Sequence, residues 1–196
     1  DANRKIAAHY GHLAAEASFK GIFAVVSDPV DPLCKEVLLS SGLSAGQVRG
    51  YGLGVMNKRA EYFAAKDPSF RSYIREGRAY GPHGSDLVIA NSIENYDDDI
   101  SLRLTKLTVE SNLKMRSIGF KPYMSPAITA GAISLILTLK GEWNYSSVYL
   151  GKDGDGAFLG IKNRIDRKNT VLEDIPLPEA LYRRIEVSYR NLCQIK

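Results

Sequence analysis

Apolar positions recur along this chain in two rhythms, one helical and one extended. Ile6, Ala7, Tyr10, Leu13, Ala14 and Ala17 return every three or four residues, which predicts a helix over Asp1 to Ala17 with no capping residue ahead of it. Ile22 to Val26 is an unbroken, β-branched run of strand length, the pattern of a strand buried on both faces in a parallel sheet. It runs into Ser27-Asp28-Pro29-Val30-Asp31, after which Pro32 opens a helix that Gly42 stops. Val48 to Tyr51 reads as a short strand and Val55 to Lys66 as a helix. Gly77 to Tyr80 and Leu87 to Ile93 read as strands on either side of a turn.

Farther on, Asp97-Asp98-Asp99 caps a long helix over Ile100 to Ser117, its acidic start suited to the helix dipole. Lys121-Pro122 restarts a helix that runs to about Lys140, apolar and small on most faces, and therefore expected at the centre of the core. Trp143 to Leu150, Ala157 to Ile161 and Asn163 to Asp166 predict an antiparallel meander that turns at Gly151 to Gly156. Pro178 opens an amphipathic last helix through Leu181, Ile185, Tyr189 and Leu192. The fold class is α/β shading into α+β: a mixed, largely antiparallel sheet packed with long helices.

Composition narrows the function classes. With 44% apolar and 24% charged residues and no low-complexity tract, the 196-residue chain can bury a sizeable core. A net charge of +4 is spread among acids rather than gathered in a basic block, which argues against nucleic acid as a partner. The longest apolar stretch, Ala127 to Leu139, is too short and too rich in Thr, Ser and Gly to span a bilayer. Cys34 and Cys193 lie far apart in apolar patterns and read as buried thiols of a reducing compartment, so a cytoplasmic protein is expected.

Four residues are candidates for chemistry. His83 stands in Tyr80-Gly81-Pro82-His83-Gly84-Ser85-Asp86, a turn whose glycines let the backbone approach a ligand and whose imidazole can move a proton near neutral pH. Ser27 and Asp28 follow the carboxyl end of a strand, where ligands sit in open parallel sheets. Arg59 stands one turn into its helix, able to aim a planar fork at a carboxylate. Gly50-Tyr51-Gly52-Leu53-Gly54 has the spacing G-x-G-x-G, which is not the dinucleotide fingerprint. His9 and His12 lack a third ligand, and Asp153 and Asp155 lack the later positions of a calcium loop, so no metal site is expected.

Taken in order, Val25 to Asp31, Gly50-Tyr51-Gly52 with Arg59-Ala60-Glu61-Tyr62-Phe63, and Gly81 to Asp86 resemble the lactate/malate dehydrogenase family. Gly119-Phe120 with Ser125-Pro126-Ala127, Phe158-Leu159-Gly160 and the closing helix look like its later parts. The resemblance runs over nearly the whole chain, to the later, substrate-binding and catalytic part of a family member. It implies a division into residues 1–48, a helix-strand-helix remnant of a dinucleotide-binding domain, and residues 49–196, the family's C-terminal-like domain.

The resemblance further implies an NAD-dependent oxidoreductase acting on a small 2-hydroxy or 2-oxo acid, and a homo-oligomer. His83 matches the proton donor and acceptor, and Arg59 the clamp on the substrate carboxylate. Asp28 falls where an asparagine contacts substrate and cofactor, with Ser27 beside it at the cofactor. Two departures stand out. Met56 occupies the position of the histidine's carboxylate partner, and Asp28 puts a negative charge beside a site for an anion. The chain taken alone is expected to be inactive, and a non-catalytic ligand-binding or assembly module is the competing expectation.

Overall fold

The computed structural model describes residues 2–119, 125–152, 155–167 and 169–195. Five strands form one mixed sheet in the order β1-β2-β5-β6-β7, made of β1 (Phe23–Val25), β2 (Val48–Gly50), β5 (Asn144–Lys152), β6 (Asp155–Asp166) and β7 (Asn169–Leu172). β1 and β2 are parallel, with Val25 opposite Gly50, and every later pairing is antiparallel. A separate two-stranded ribbon joins β3 (Arg78–Tyr80) to β4 (Val88–Ala90).

β1 is an edge strand rather than one buried on both faces: Val25 is buried, while Ile22 and Val26 on either side of it are exposed. Helix α1 (Ala2–Glu16) lies along α2 (Val30–Ser41) through its small residues, with Gly11 and Ala14 buried. Ile6, Tyr10 and Leu13 therefore face outward. α2 begins at Val30, two residues before Pro32, and its stripe of Val30, Leu33, Cys34 and Val37 packs with Val25, Val48 and Phe158.

The second half of the core gathers on α3 (Leu53–Lys66), whose Leu53, Met56, Ala60 and Ala64 recur at helical spacing and are all nearly inaccessible. They pack against Phe70, Tyr73, Ile89 and Leu104, the last from α5 (Asp98–Ser117), whose start is capped by Asp97 accepting from the Ile100 N–H at 2.9 Å. The Tyr73 hydroxyl comes from the short helix α4 (Tyr73–Glu76) and donates to Asn57 Oδ1 at 2.7 Å, so this buried polar tip is satisfied.

Two further expectations need correction. The helix α6 (Ser125–Leu139) is not central: among its described side chains the buried ones are Ala130, Ser134 and Thr138, while Ile133, Ile136 and Leu139 are exposed. The cause is its neighbours, since α3 and β5 approach closely enough that a Cβ on Gly54 would collide with the Ser134 hydroxyl, so only small residues fit the inner face. The third strand of the meander is Asn169–Leu172; Asn163 to Asp166 instead lengthen β6, whose antiparallel register with β5 runs unbroken from Asp155 to Asn163. The expected helix start at Lys121-Pro122 and the turn at Asp153-Gly154 lie outside the described residues. The last helix, α7 (Glu179–Gln194), buries Leu181, Ser188 and Leu192 against β4 and β6.

Candidate functional site

The seam between the two core clusters opens where β1 ends, and His83 is held over it. Gly81 takes φ +91°, a conformation that favours glycine, and its N–H donates to the Gly160 carbonyl at 2.9 Å, pinning the turn against β6. On the other side, a Cβ on Gly52 would lie 2.8 Å from Val30 and 3.0 Å from the His83 Cβ, so glycine is what lets the turn close down on α2 and α3. Leu87 N–H to Gly84 carbonyl, 3.2 Å, completes the turn.

This places the His83 Nδ1 3.3 Å from Asp28 Oδ1, with the imidazole about one fifth exposed and the carboxylate two thirds exposed, at 21% and 67%. Arg59 approaches the same carboxylate from α3. Burial lowers the guanidinium from its ordinary value, and the Asp28 charge pulls it back up. The pair is not in direct contact: the Arg59 Nη1 instead touches Met56 Sδ at 3.4 Å. Met56 itself is only 2% exposed, an apolar member of the α3 stripe. His83, Arg59 and Asp28 are thus brought together, and Ser27 lies exposed next to Asp28 just beyond β1. Asp86 is directed away, accepting from Asn191 of α7 at 3.1 Å.

One residue of the site escaped the sequence reading. Asp31 is 3% exposed, lies under the His83 turn, and has one oxygen, Oδ1, with no hydrogen-bond partner among the described residues. Burial pushes its carboxyl up to about 6, against Ser147 and the His83 N–H and ring, which pull it down. The signal was present in the helical spacing. Asp31 stands three residues before Cys34, on the stripe that carries Val30, Val37 and Ser41 inward, but a helix opened at Pro32 leaves it outside.

The arrangement can bind an anion and move a proton. An imidazole contacts the Asp28 carboxylate and a guanidinium lies within reach of its charge, and the imidazole keeps a second nitrogen for a substrate oxygen when Nδ1 donates to Asp28, a tautomer assigned from that contact. Among the described residues no group of three His, Cys, Asp or Glu side chains could hold a metal ion, and no helix is long and apolar enough to cross a membrane.

No family model matches the sequence, and no curated protein matches it in a sequence comparison. Solved structures do. The malate dehydrogenase of Archaeoglobus fulgidus in complex with NADH superposes with a TM-score of 0.76 at 18% identity, over 98% of this chain and 66% of its own. The apo malate dehydrogenase of Picrophilus torridus gives 0.78 at 15% identity, over 98% and 65%, and the minor L-lactate dehydrogenase of Enterococcus mundtii, in its ligands-bound form, 0.75 at 20%, over 98% and 67%. The chain has the fold of these dehydrogenases and spans about two thirds of their length.

Proposed function

We propose, from the premise of a lactate/malate dehydrogenase-like fold, that this chain forms the acid-binding and proton-transfer half of an NAD-dependent oxidoreductase for a small 2-hydroxy or 2-oxo acid. The observation that carries the reading is the convergence of His83 and Arg59 on one carboxylate position at the carboxyl end of β1. Arg59 holds the carboxylate of the acid, its planar fork matched to two oxygens. His83 gives a proton to the oxygen at C2, or takes one from it, while Asp28 keeps the ring oriented. NAD, when bound, supplies the hydride acceptor or donor.

Ser27 and Asp28 stand open at the lip of the sheet and fit a contact with one edge of that cofactor, whereas the Gly50 to Gly54 run lacks the spacing of a pyrophosphate-binding turn. The chain on its own is accordingly assigned acid binding rather than turnover. The division at residue 48, a cytoplasmic setting and a homo-oligomer go with the same reading. The exposed Ile6, Tyr10 and Leu13 of α1 give the oligomer a face, which light scattering over a dilution series tests through a fall in mass for Leu13→Asp.

A second reading, a binding or assembly module with no turnover, is favoured by one contact: Arg59 meets a thioether where a carboxylate would support the histidine. Calorimetric titration of the whole chain with oxalate and pyruvate, with and without NADH, tests the first. Binding that weakens about tenfold or more in Arg59→Ala and little in His83→Asn supports it. Binding indifferent to Arg59 overturns the assignment of the clamp.

A further inference from the structure

Apart from the His83 seam, a cavity of about 350 Å³ lies between the one-turn helix Ala45–Gln47 and strands β2, β5 and β7. It shares no residue with the site above. Directly behind its wall sits Arg49 of β2, 1% exposed, the largest fully buried side chain among the described residues. A guanidinium stays charged in any protein environment, so this is a permanent buried cation. Among the described residues no carboxylate forms an ion pair with it. The contrast is Arg78 of the β3-β4 ribbon, whose Nε meets Glu173 at 2.6 Å.

Arg49 is held by three neutral oxygens. Its Nη1 donates to Asn163 Oδ1 at 2.6 Å and Ser146 Oγ at 3.3 Å, and its Nη2 to Thr170 Oγ1 at 2.7 Å, while Nε has no partner among the described residues. Asn163 and Ser146 are engaged inside the sheet, Asn163 Nδ2 donating to the Ser146 and Ile161 carbonyls at 3.0 and 2.8 Å. Thr170 is different. It is exposed, it lines the cavity, and its oxygen is engaged by a cation, so its own proton is polarised and none of the described residues accepts it. The guanidinium therefore presents its charge to the cavity through one hydroxyl. Apart from Asn169 and Tyr149, the remaining wall is apolar or small, with Val48, Val148, Leu150 and Leu172 as its aliphatic members.

We propose that this cavity binds a small amphiphilic monocarboxylate, its head accepting from the Thr170 hydroxyl with Arg49 behind and its aliphatic tail along Val148, Leu150 and Leu172. The volume equals about twelve waters at roughly 30 Å³ each, more than a bare inorganic anion fills, and the aliphatic members leave room for a tail. The volume sits at the low end of small-molecule sites, near 300–1,000 Å³.

The test is an NMR titration of the whole chain with octanoate, with octanol as the tail without the charge and acetate as the charge without the tail. Octanoate is expected to saturate at or below about 1 mM, a modest affinity, shifting the amides of Gly46, Val148 and Thr170. Octanol and acetate are expected to bind at least about tenfold more weakly, and so is octanoate to Thr170→Val, whereas Thr170→Ser, which keeps the hydroxyl, stays within about threefold of the parent. If Thr170→Val does not fold, the octanoate-to-octanol ratio and the Thr170→Ser result decide on their own. Equal affinity for octanoate and octanol, undiminished binding in Thr170→Val, loss in Thr170→Ser, no saturation, or shifts centred on the exposed face of α6 would each overturn the proposal.

Discussion

Arg49 of β2 and Asp31 of α2 are both buried ionisable side chains, and the fold treats them in opposite ways. Asp31, under the His83 turn, is left with an unpartnered oxygen and escapes the cost of burial by holding its proton up to about pH 6. Arg49 has no such escape, because a guanidinium does not give up its proton, and burial only lowers it within a range where it remains charged. The sheet answers with three side-chain oxygens from β5, β6 and β7. An acid can be buried with sparse partners and made switchable, whereas an arginine must be solvated by the protein itself.

The largest effect comes from removing that internal solvation. Asn163→Val takes away the shortest acceptor of Arg49 and leaves a buried charge short of partners, which is expected to destabilise the chain by about 3–5 kcal/mol. Arg49→Met should cost less than Asn163→Val, since it removes the charge together with the demand for acceptors. The pair then couples: urea unfolding of Arg49→Met/Asn163→Val should show a smaller loss than Asn163→Val alone. A strictly additive double variant would mean that the network does not solvate the guanidinium.

Asp31 gives a smaller and pH-dependent effect. Its folded value, about 6, lies above the ordinary carboxyl value of 3.8, so the unfolded chain releases this proton first. Folding takes a proton up between about pH 4 and pH 6. The contribution to stability is fully present below about pH 4, falls as pH rises through that window, and is flat above it. At roughly 1.4 kcal/mol per pH unit the fall amounts to about 3 kcal/mol. Asp31→Asn cannot titrate, so its stability relative to the parent should improve between pH 4 and pH 7 by about that amount in urea titrations. A constant difference between the two across this range would show that Asp31 is ionised throughout in the folded chain.

Why one of these sites was partly legible in the sequence and the other was not follows from the same contrast. The His83 site is announced by local chemistry: glycines around a histidine, an arginine one helical turn past a glycine run, a strand end followed by Asp28-Pro29. Each piece lies within a few residues of its own backbone constraint. Asp31 was missed through a helix start placed two residues late, and Arg49 because nothing local marks it. Its partners stand 97, 114 and 121 residues away, and the strand carrying the third, Thr170, was predicted at Asn163 to Asp166. The same limit misread α6. Its all-round apolar sequence predicts burial, but which face is buried was decided by how closely α3 and β5 approach, and the small residues won over Ile133 and Ile136. Mixed sheet, long helices and element order were legible because periodicity is a local property.

The smallest effect belongs to the exposed acid of the same seam. Asp28 shares the His83 site with Asp31 but is 67% exposed, so its charge acts through solvent rather than through the protein interior. Its carboxylate contacts His83 and its charge reaches Arg59, so it lies next to the position proposed for an incoming acid, where a like charge opposes the ligand. In water-like surroundings a unit charge at about 4 Å is worth roughly 1 kcal/mol, or about a factor of five in affinity. Asp28→Asn should therefore tighten oxalate binding about fivefold at low salt, and the gain should shrink at about 0.2 M salt as screening shortens the reach of the charge. The amide can still accept from His83 through its oxygen, so the ring keeps a partner while the repulsion is removed. Calorimetry at two salt concentrations reads both arms. If oxalate binds the parent and Asp28→Asn equally well at low salt, the carboxylate stands aside from the anion position, and the seam differs from the Arg49 cavity less than its exposed acid suggests.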